Sequence, residues 1–287
     1  MLVESKRSVP LFERLQIESQ SHCNRACWFC ARTYDRSGDY LTETGSPVVG
    51  QMPTDKILDL LDQAQAMGFV GQVGFYFYSE PLLDKRNPTL AREAKKRGMR
   101  PRLHTNGDVL TGNDSLCREI AEAYEEIIVG VYDYASDEEL EAIKRSWRDK
   151  LSGAEIKFSS IGPAGAQTAH CMATPRALVP TDARVAVPDL VFANAPCRRP
   201  LIRMLIRYDG EMCNCCEDLH GAFNLGNVYE SSLEELWHSD SHTQVIESLT
   251  AGGRELYKLC SNCPASPSGP PPNGKKVTVT RRRNGVV

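Results

Sequence analysis

The stretch RLQIESQSHCNRACWFC, residues 14–30, determines how the rest of this chain is interpreted. It begins with a short apolar run, Leu15 to Ile17, that predicts a buried strand. It ends with Cys23, Cys27 and Cys30, the cysteine triplet, whose members are separated by three and two residues. A 4Fe–4S cube contains four irons and normally takes four thiolates. Three closely spaced thiolates therefore predict a cluster with one open iron, at which a substrate can coordinate.

Zinc is the alternative metal for the triplet. The adjacent His22 provides a fourth ligand in that interpretation, and structural zinc sites take four. Zinc knuckles, however, pair two arms of two cysteines, whereas this loop is one compact group of three. The spacing by itself leaves a cluster, zinc and plain structural thiols open, and it favours a place beside the site or at the surface for His22.

Strands and helices alternate after the triplet, and each has its own boundary signal. Strands alternating with crossover helices predict an α/β fold with a parallel sheet, and about five such units favour a partial barrel over a closed eightfold one. Chemistry in such folds lies at the carboxyl ends of the strands, where Asp133 also falls and could bind substrate. The predicted strands are 73–77, 102–105, 127–132 and 156–159, and the predicted helices begin at Thr54, Asn87, Asn113 and Ser136.

Composition limits the classes of function. A net charge of -3 over 287 residues offers no basic surface to nucleic acid, and no apolar run reaches the roughly eighteen residues of a membrane span. Residues 1–10 lack the apolar core of an export signal, so we expect a cytoplasmic protein. In that reducing compartment, the 11 cysteines are expected to bind metal or carry redox chemistry.

With these features in place, the chain resembles the radical S-adenosylmethionine (radical SAM) superfamily. The family pattern is C-x-x-x-C-x-x-C after the first barrel strand, with an aromatic residue, here Phe29, before the last cysteine. The resemblance implies a partial (β/α)6-type barrel. It also implies that the triplet binds a catalytic 4Fe–4S cluster whose open iron holds S-adenosylmethionine (SAM).

Two further segments extend the resemblance to contacts with SAM. Family members hold the amino group of SAM with a segment after the second strand, where this chain carries Ser79-Glu80-Pro81. That segment departs from the family pattern, because Tyr78 and Ser79 replace two glycines. Thr105-Asn106 resembles the fourth-strand segment near the ribose. The resemblance thus implies that Phe29, Ser79, Glu80, Thr105 and Asn106 lie at the cofactor.

A second group of cysteines lies near the C-terminus. Its four members, the cysteine quartet, are Cys197, Cys215, Cys260 and Cys263. Asp209-Gly210 ahead of the second member, and a capped helix ending at Trp237, resemble the SPASM/Twitch domains of this superfamily, which implies one auxiliary 4Fe–4S cluster. Cys213, Cys215 and Cys216 are alternatives for one ligand position. The spacing from Gly210 favours Cys215. Structural zinc is the alternative here too.

The resemblance implies a reaction. Radical SAM enzymes reductively cleave SAM to a 5′-deoxyadenosyl radical, which abstracts a hydrogen atom from substrate. An auxiliary cluster with four ligands favours acceptance of an electron, hence a two-electron oxidation of a sugar, aminocyclitol or other small polar metabolite. We find no room for a leader-peptide domain before Phe12 or after Cys263, which favours a small molecule over a peptide. A flavodoxin or ferredoxin is the expected electron donor.

Three further functions are compatible with these residues. A radical epimerase would return hydrogen from a thiol, for which Cys117, Cys171 and Cys216 are candidates, although Cys117 lies on an apolar helix face that predicts a core position. A peptide maturase would use the same two clusters, and a non-catalytic interaction protein would bind zinc at them. We expect a radical SAM core over residues 1–185, a Twitch/SPASM-like domain over 186–268 and a flexible basic tail over 269–287.

Overall fold

The computed structural model describes residues 9–27, 29–160, 190–192, 194–261, 263 and 279–281. The strands are β1 (Arg14–Ile17), β2 (Gln72–Gly74), β3 (Arg100–Thr105), β4 (Glu126–Val131), β5 (Glu155–Ser160), β6 (Leu190–Phe192), β7 (Arg203–Ile206), β8 (Met212–Cys213) and β9 (Val279–Arg281). The α-helices are α1 (Thr54–Ala66), α2 (Asn87–Lys96), α3 (Asp114–Ala123), α4 (Asp137–Lys150), α5 (Arg199–Ile202), α6 (Leu233–Trp237), α7 (Asp240–Thr250) and α8 (Lys258–Ser261). No helix in these ranges is both long and apolar enough to cross a membrane.

The predicted parallel sheet and partial barrel are confirmed. One sheet of seven strands has the order β5-β4-β3-β2-β1-β7-β8, in which all neighbours pair in parallel except the antiparallel β7 and β8. Strands β7 and β8 both lie within the domain expected from residue 186 onward. In the structure β7 is also the parallel neighbour of β1, with Leu15 beside Met204. The sheet therefore continues across the boundary expected near residue 185.

The apolar core joins the two halves of the chain through the same elements. Leu15 and Ile17 of β1 lie in one buried cluster with Met204 of β7 and Trp237 of α6. The Trp237 ring packs edge-on against Phe12, with ring centroids 5.1 Å apart, and its indole N–H donates to the carbonyl of Pro10 at 3.0 Å. Burial of large apolar side chains contributes about 2–3 kcal/mol each. The C-terminal region is thus packed onto the first strand of the barrel.

Three differences from the sequence predictions have a visible cause: the end of β2, the end of α3, and the cap of α1, for which the sequence favoured Thr54. Strand β2 ends at Gly74 instead of 77, because the next residues leave the sheet and line a pocket. Helix α3 ends at Ala123, since Glu126 begins β4, where its carboxylate pairs with one cation from each neighbouring strand. The N-cap of α1 is Pro53, not Thr54.

The reason for the last difference is a competing donor. The Thr54 hydroxyl accepts a hydrogen bond from Arg86 at 2.9 Å and makes no cap. Within the tail expected over 269–287, residues 279–281 pair with 190–192 as an antiparallel ladder. Backbone pairing of this kind depends on a distant segment, which the local composition does not reveal. Cys171 lies outside the described residues.

Candidate functional site

A pocket lies at the carboxyl ends of the barrel strands, as parallel α/β architecture predicts. The eight residues predicted for the catalytic cluster and for SAM all line it. They come from three separate segments that follow β1, β2 and β3, so the topology of the sheet brings them together. We call it the three-cysteine pocket; the eight are Cys23, Cys27, Phe29, Cys30, Ser79, Glu80, Thr105 and Asn106.

The thiols of the triplet are half-buried at this pocket. Burial, and then the neighbouring thiols, raises the pKa of Cys27 to about 12, and burial raises the pKa of Cys30 to about 11. Without metal these thiols are therefore protonated at neutral pH. Iron binds thiolate, so loading the site must release protons. Three sulfur ligands on one loop beside an open pocket fit a cluster with one free corner.

Arg25 fixes the triplet loop onto the barrel, a role that the sequence did not predict. Its guanidinium binds Asp108 with two nitrogens, one of them at 2.8 Å, and binds Asp133 at 2.8 Å with a third. A fork of this kind restricts orientation as well as distance. The sequence carried two signals of this contact: a cationic residue between two cysteines of the triplet, and acidic residues shortly after two of the strands. Asp133 follows β4 and was a candidate for substrate binding. In the structure its carboxylate is paired with Arg25.

Glu80 lies at the pocket, but its carboxylate is already hydrogen-bonded within the protein. It accepts from the Thr105 hydroxyl at 2.7 Å, from the Asn106 N–H at 2.7 Å and from the Leu82 N–H at 3.1 Å. Burial raises the pKa of Glu80 to about 7 despite these bonds. The carboxylate therefore holds the turn after β3 in place, and the His22 carbonyl, which accepts from the Glu80 N–H at 2.9 Å, ties this segment to the triplet loop.

The turn after β3 requires a glycine. Gly107 has φ of +82°, and a Cβ there would come within 3.0 Å of Trp147 and 3.4 Å of Val129. The turn also reaches the triplet loop, because the Asn106 amide donates to the Asn24 side chain at 2.9 Å. The turn is therefore placed against the loop by its backbone geometry and by polar contacts.

The pocket also contains residues that the sequence motifs do not mark. His104 lines it and packs edge-on against Tyr76 at 5.9 Å between ring centroids. Burial, and then the nearby Arg102, lowers the pKa of His104 to about 4, so its ring is neutral at pH 7. Tyr132 packs edge-on against Phe29 at 4.7 Å. The sequence offered one signal for His104. Side chains two residues apart lie on the same face of a strand, so His104 shares its face of β3 with Arg102.

A second cavity lies in the C-terminal region and contains the whole cysteine quartet. We call it the four-cysteine cavity; Cys197, Cys215, Cys260 and Cys263 line it together with Arg199 and Arg254. Three of the four cysteines are buried, and the fourth is half-buried. Burial raises the pKa of both Cys215 and Cys260, and neighbouring thiols raise each further. Four sulfur ligands and two cations around one space suit an anionic, fully ligated cluster.

The three neighbouring cysteines, Cys213, Cys215 and Cys216, lie in different surroundings. Cys215 lines the cavity, whereas Cys213 belongs to β8 and pairs with Leu205 of β7. The Cys216 sulfur lies 3.5 Å from the Arg199 guanidinium and is absent from the lining of the cavity. This arrangement favours Cys215 as the ligand, as the offset from Gly210 predicted.

The arrangement of sulfurs bears on the zinc alternative. One zinc ion holds thiolates at about 2.3 Å, so its ligands must converge on a point. Among the residues that the structure describes, no three cysteine, histidine or acidic side chains converge closely enough to hold one metal ion. The cysteines of each group line a shared space.

A buried polar network lies between the pocket and the cavity. Glu18, just after β1, accepts from the Tyr40 hydroxyl at 2.8 Å and from the Tyr78 N–H at 2.8 Å. Burial raises the pKa of Glu18 to about 7. The Tyr78 hydroxyl in turn donates to the carbonyl of Cys216 at 2.6 Å. Tyr78 thus contacts both regions, since its ring lines the three-cysteine pocket.

Comparison with known proteins adds independent findings. A sequence model described as the radical SAM superfamily matches residues 17–156, and one described as SPASM, an iron–sulfur cluster-binding domain, matches residues 197–264. An S-adenosyl-L-methionine-dependent 2-deoxy-scyllo-inosamine dehydrogenase from Niallia circulans is 26% identical over 262 residues, covering 88% of this chain and 93% of that protein.

Solved structures share the fold. A crystal structure of BtrN in complex with AdoMet and 2-DOIA superposes with a TM-score of 0.69 at 24% identity, over 94% of this chain and 99% of BtrN. SuiB from Streptococcus suis, bound to its precursor peptide SuiA, superposes with a TM-score of 0.50 at 12% identity, over 83% of this chain and 67% of SuiB. At these identities the likeness concerns the fold alone.

Proposed function

Because the chain belongs to the radical SAM superfamily and carries a SPASM region, we propose that it is a dehydrogenase that oxidises a CH–OH group of an aminocyclitol or similar small polar molecule. The protein is a radical SAM enzyme, and its cofactors are SAM and 4Fe–4S clusters. Bound together, SAM and a reduced cluster supply a 5′-deoxyadenosyl radical that removes a hydrogen atom from substrate.

Residue roles follow from the two cysteine groups. We assign the triplet to the cluster that binds SAM, and the quartet to the auxiliary cluster. Phe29, Ser79, Thr105 and Asn106 line the space where SAM would lie, whereas Glu80 holds the turn that presents two of them. We divide the chain into a radical SAM core over 1–185 and a cluster domain over 186–268, with β7 of the second domain joining the sheet of the first.

One observation carries the proposed reaction type: an open pocket with three thiols and a buried cavity with four thiols occur in the same chain. A group held by four protein ligands has no position left for substrate, so the cavity is suited to exchanging electrons. When a CH–OH carbon becomes a carbonyl, it loses one hydrogen atom, one electron and one proton. The second site provides a destination for the electron.

Among the described thiol candidates, the positions of Cys117 and Cys216 disfavour epimerisation. That reaction needs a thiol that returns hydrogen to the substrate carbon. Cys117 lies in the core of α3, where its thiol donates to the Leu110 carbonyl at 3.5 Å, and Cys216 lies beside Arg199. Among the described residues, the cysteines that line the three-cysteine pocket are the triplet itself.

The substrate class rests on the relative from Niallia circulans, whose name specifies dehydrogenation of 2-deoxy-scyllo-inosamine. That similarity extends over most of both chains, so it includes the C-terminal region as well as the barrel. Neutral polar groups, among them His104 and Asn106, line the pocket and suit a polyhydroxylated ring. A flavodoxin or ferredoxin would supply the electron for SAM cleavage.

The decisive experiment is an anaerobic assay of reconstituted protein. The protein should be brown and contain about eight irons per chain, four for each cluster. With dithionite, SAM and 2-deoxy-scyllo-inosamine or related aminocyclitols, we expect 5′-deoxyadenosine and a product lighter by two hydrogens. Cys23→Ala is the matched control and should form neither.

The competing functions give different results in the same assay. A product that has the mass of the substrate in ordinary water, and that gains one deuterium in heavy water, would identify an epimerase. Colourless protein with bound zinc and without SAM cleavage would overturn the proposal as a whole. Modification of a peptide but of none of the aminocyclitols would overturn the substrate class alone.

A further inference from the structure

One peptide unit connects the three-cysteine pocket to the sulfur assigned as an auxiliary ligand. The carbonyl of Cys216 accepts the Tyr78 hydroxyl at 2.6 Å. The N–H of the same peptide, which belongs to Glu217, donates to the Cys215 sulfur at 3.4 Å. The order of groups is therefore hydroxyl, carbonyl, amide and sulfur, without an interruption.

Such a chain of hydrogen bonds is electrostatically coupled. A donor on the carbonyl polarises the peptide and strengthens the hydrogen bond that its N–H makes. The effect is larger in a buried site, where the effective dielectric constant is low. Tyr78, Cys215 and Cys216 are all nearly inaccessible to solvent, at 5%, 6% and 6% exposure.

Hydrogen bonds to the ligand sulfurs are one of the levers by which a protein sets the potential of an iron–sulfur cluster. An N–H donor favours the reduced, more negative state, so a stronger donor raises the potential. On the basis of the function proposed above, we infer that Tyr78 is a positioning residue that raises the potential of the auxiliary cluster through the Cys216–Glu217 peptide. A higher potential favours acceptance of the electron from substrate.

Two features make Tyr78 suited to this role. Its ring lines the pocket and packs against Tyr40 and Phe77, at 5.7 and 4.2 Å between centroids, so its hydroxyl has a fixed direction. Its N–H is held by Glu18. Burial also raises the pKa of Tyr78 well above its ordinary value, so the hydroxyl keeps its proton and remains a donor.

The chain offers a matched control. Tyr208 also donates its hydroxyl to a backbone carbonyl at 2.6 Å, but that carbonyl belongs to Asp39. Its ring packs against Tyr40 at 5.8 Å, so it belongs to the same aromatic neighbourhood. Tyr208→Phe therefore removes an equivalent hydrogen bond without touching the peptide at the quartet.

The test measures the potential directly. In a background with Cys23→Ala, Cys27→Ala and Cys30→Ala, only the auxiliary cluster should form, and EPR-monitored redox titration gives its midpoint. We expect Tyr78→Phe to lower the midpoint, Tyr208→Phe to leave it in place, and difluorotyrosine at position 78, a stronger donor, to raise it. Loss of folding does not produce opposite shifts from two near-isosteric replacements.

Turnover provides the second readout. In the complete enzyme, the ratio of oxidised product to 5′-deoxyadenosine should fall about fivefold in Tyr78→Phe, the equivalent of one neutral hydrogen bond, whatever the total amount of 5′-deoxyadenosine formed. Equal midpoints for the Tyr78 and Tyr208 variants would overturn the inference and leave the proposed function intact. A background protein without any cluster would overturn the quartet assignment, and this inference with it.

Discussion

The three-cysteine pocket and the four-cysteine cavity use the same ligand type in opposite ways. The triplet lies on a single loop after one strand, and its thiols face an open pocket. The quartet is collected from three distant segments, and its thiols are mostly buried, with two arginines beside them. A local loop can leave one corner of a cluster open to SAM, whereas an enclosing cavity leaves none. In the function proposed above, the difference between chemistry and electron storage follows from how the sulfurs are distributed.

The largest effect is expected from the triplet. Cys23→Ala, Cys27→Ala or Cys30→Ala should lower 5′-deoxyadenosine formation by about a thousandfold or more, because the cofactor loses its anchor. Iron should fall by about four per chain, with the auxiliary signal retained in EPR. Full SAM cleavage in any of these variants would show that the pocket does not hold the cluster.

A somewhat smaller effect is expected from substitutions in the quartet. They should lower substrate oxidation and leave SAM cleavage nearly unchanged. Cys215→Ala should reduce oxidised product by about 100-fold while 5′-deoxyadenosine formation changes by less than about threefold, because the cavity acts after SAM cleavage. Cys216→Ala is the control and should keep all its iron. If Cys216→Ala loses four irons and Cys215→Ala does not, the ligand assignment is wrong.

The clamp on the triplet loop should contribute an intermediate effect. Arg25→Gln removes the ion pairs with Asp108 and Asp133, so the loop is held less firmly and SAM cleavage should fall about tenfold. Arg25→Lys should recover only part, since lysine lacks the planar fork. Arg92→Gln breaks an exposed ion pair with Glu119 far from the pocket and should be neutral. The same fall in both glutamine variants would rule out a specific role for the clamp.

The smallest effect concerns the polar network between the two regions. Burial raises the pKa of Glu18 to about 7, above its value in the unfolded chain, so folding favours the protonated form. Its contribution to stability is therefore fully present below about pH 4.5 and is lost as pH rises to about 7, at roughly 1 kcal/mol per pH unit. Glu18→Gln should flatten this dependence.

Thermal melting of anaerobic, reconstituted protein between pH 5 and 8 measures that effect. The wild-type midpoint should fall more steeply with pH than that of Glu18→Gln, and the exposed Glu230→Gln should follow the wild type. Parallel curves for wild type and Glu18→Gln would mean that Glu18 is not protonated preferentially in the folded protein.

Local patterns predicted much of the fold. The alternation of strands and helices and the capped helix that ends at Trp237 are confirmed, because each depends on neighbours within one or two turns of chain. The predictions that were wrong concern groups with distant partners. Thr54, for example, did not cap its helix because Arg86, 32 positions along the chain, binds its hydroxyl.

The same division holds at the site. The sequence placed the triplet and the segments after β2 and β3 at one rim, because the carboxyl ends of parallel strands share an edge. It did not reveal that Glu80 bonds the turn after β3 or that Arg25 bridges Asp108 and Asp133. Those contacts join residues some 25 to 108 positions apart, and side-chain direction across such distances has no local signature.

The sequence by itself determined the cysteine pattern from which we propose the ligand chemistry of this protein. The spacing of three cysteines in one loop is a local property, and so is the order of strands and helices that follows. Only the tertiary structure decided which cysteine of Cys213, Cys215 and Cys216 faces the cavity, and that the peptide after Cys216 meets Tyr78 from the barrel. The reason is that β7 joins β1 in the sheet, which brings a segment nearly two hundred residues away against the pocket.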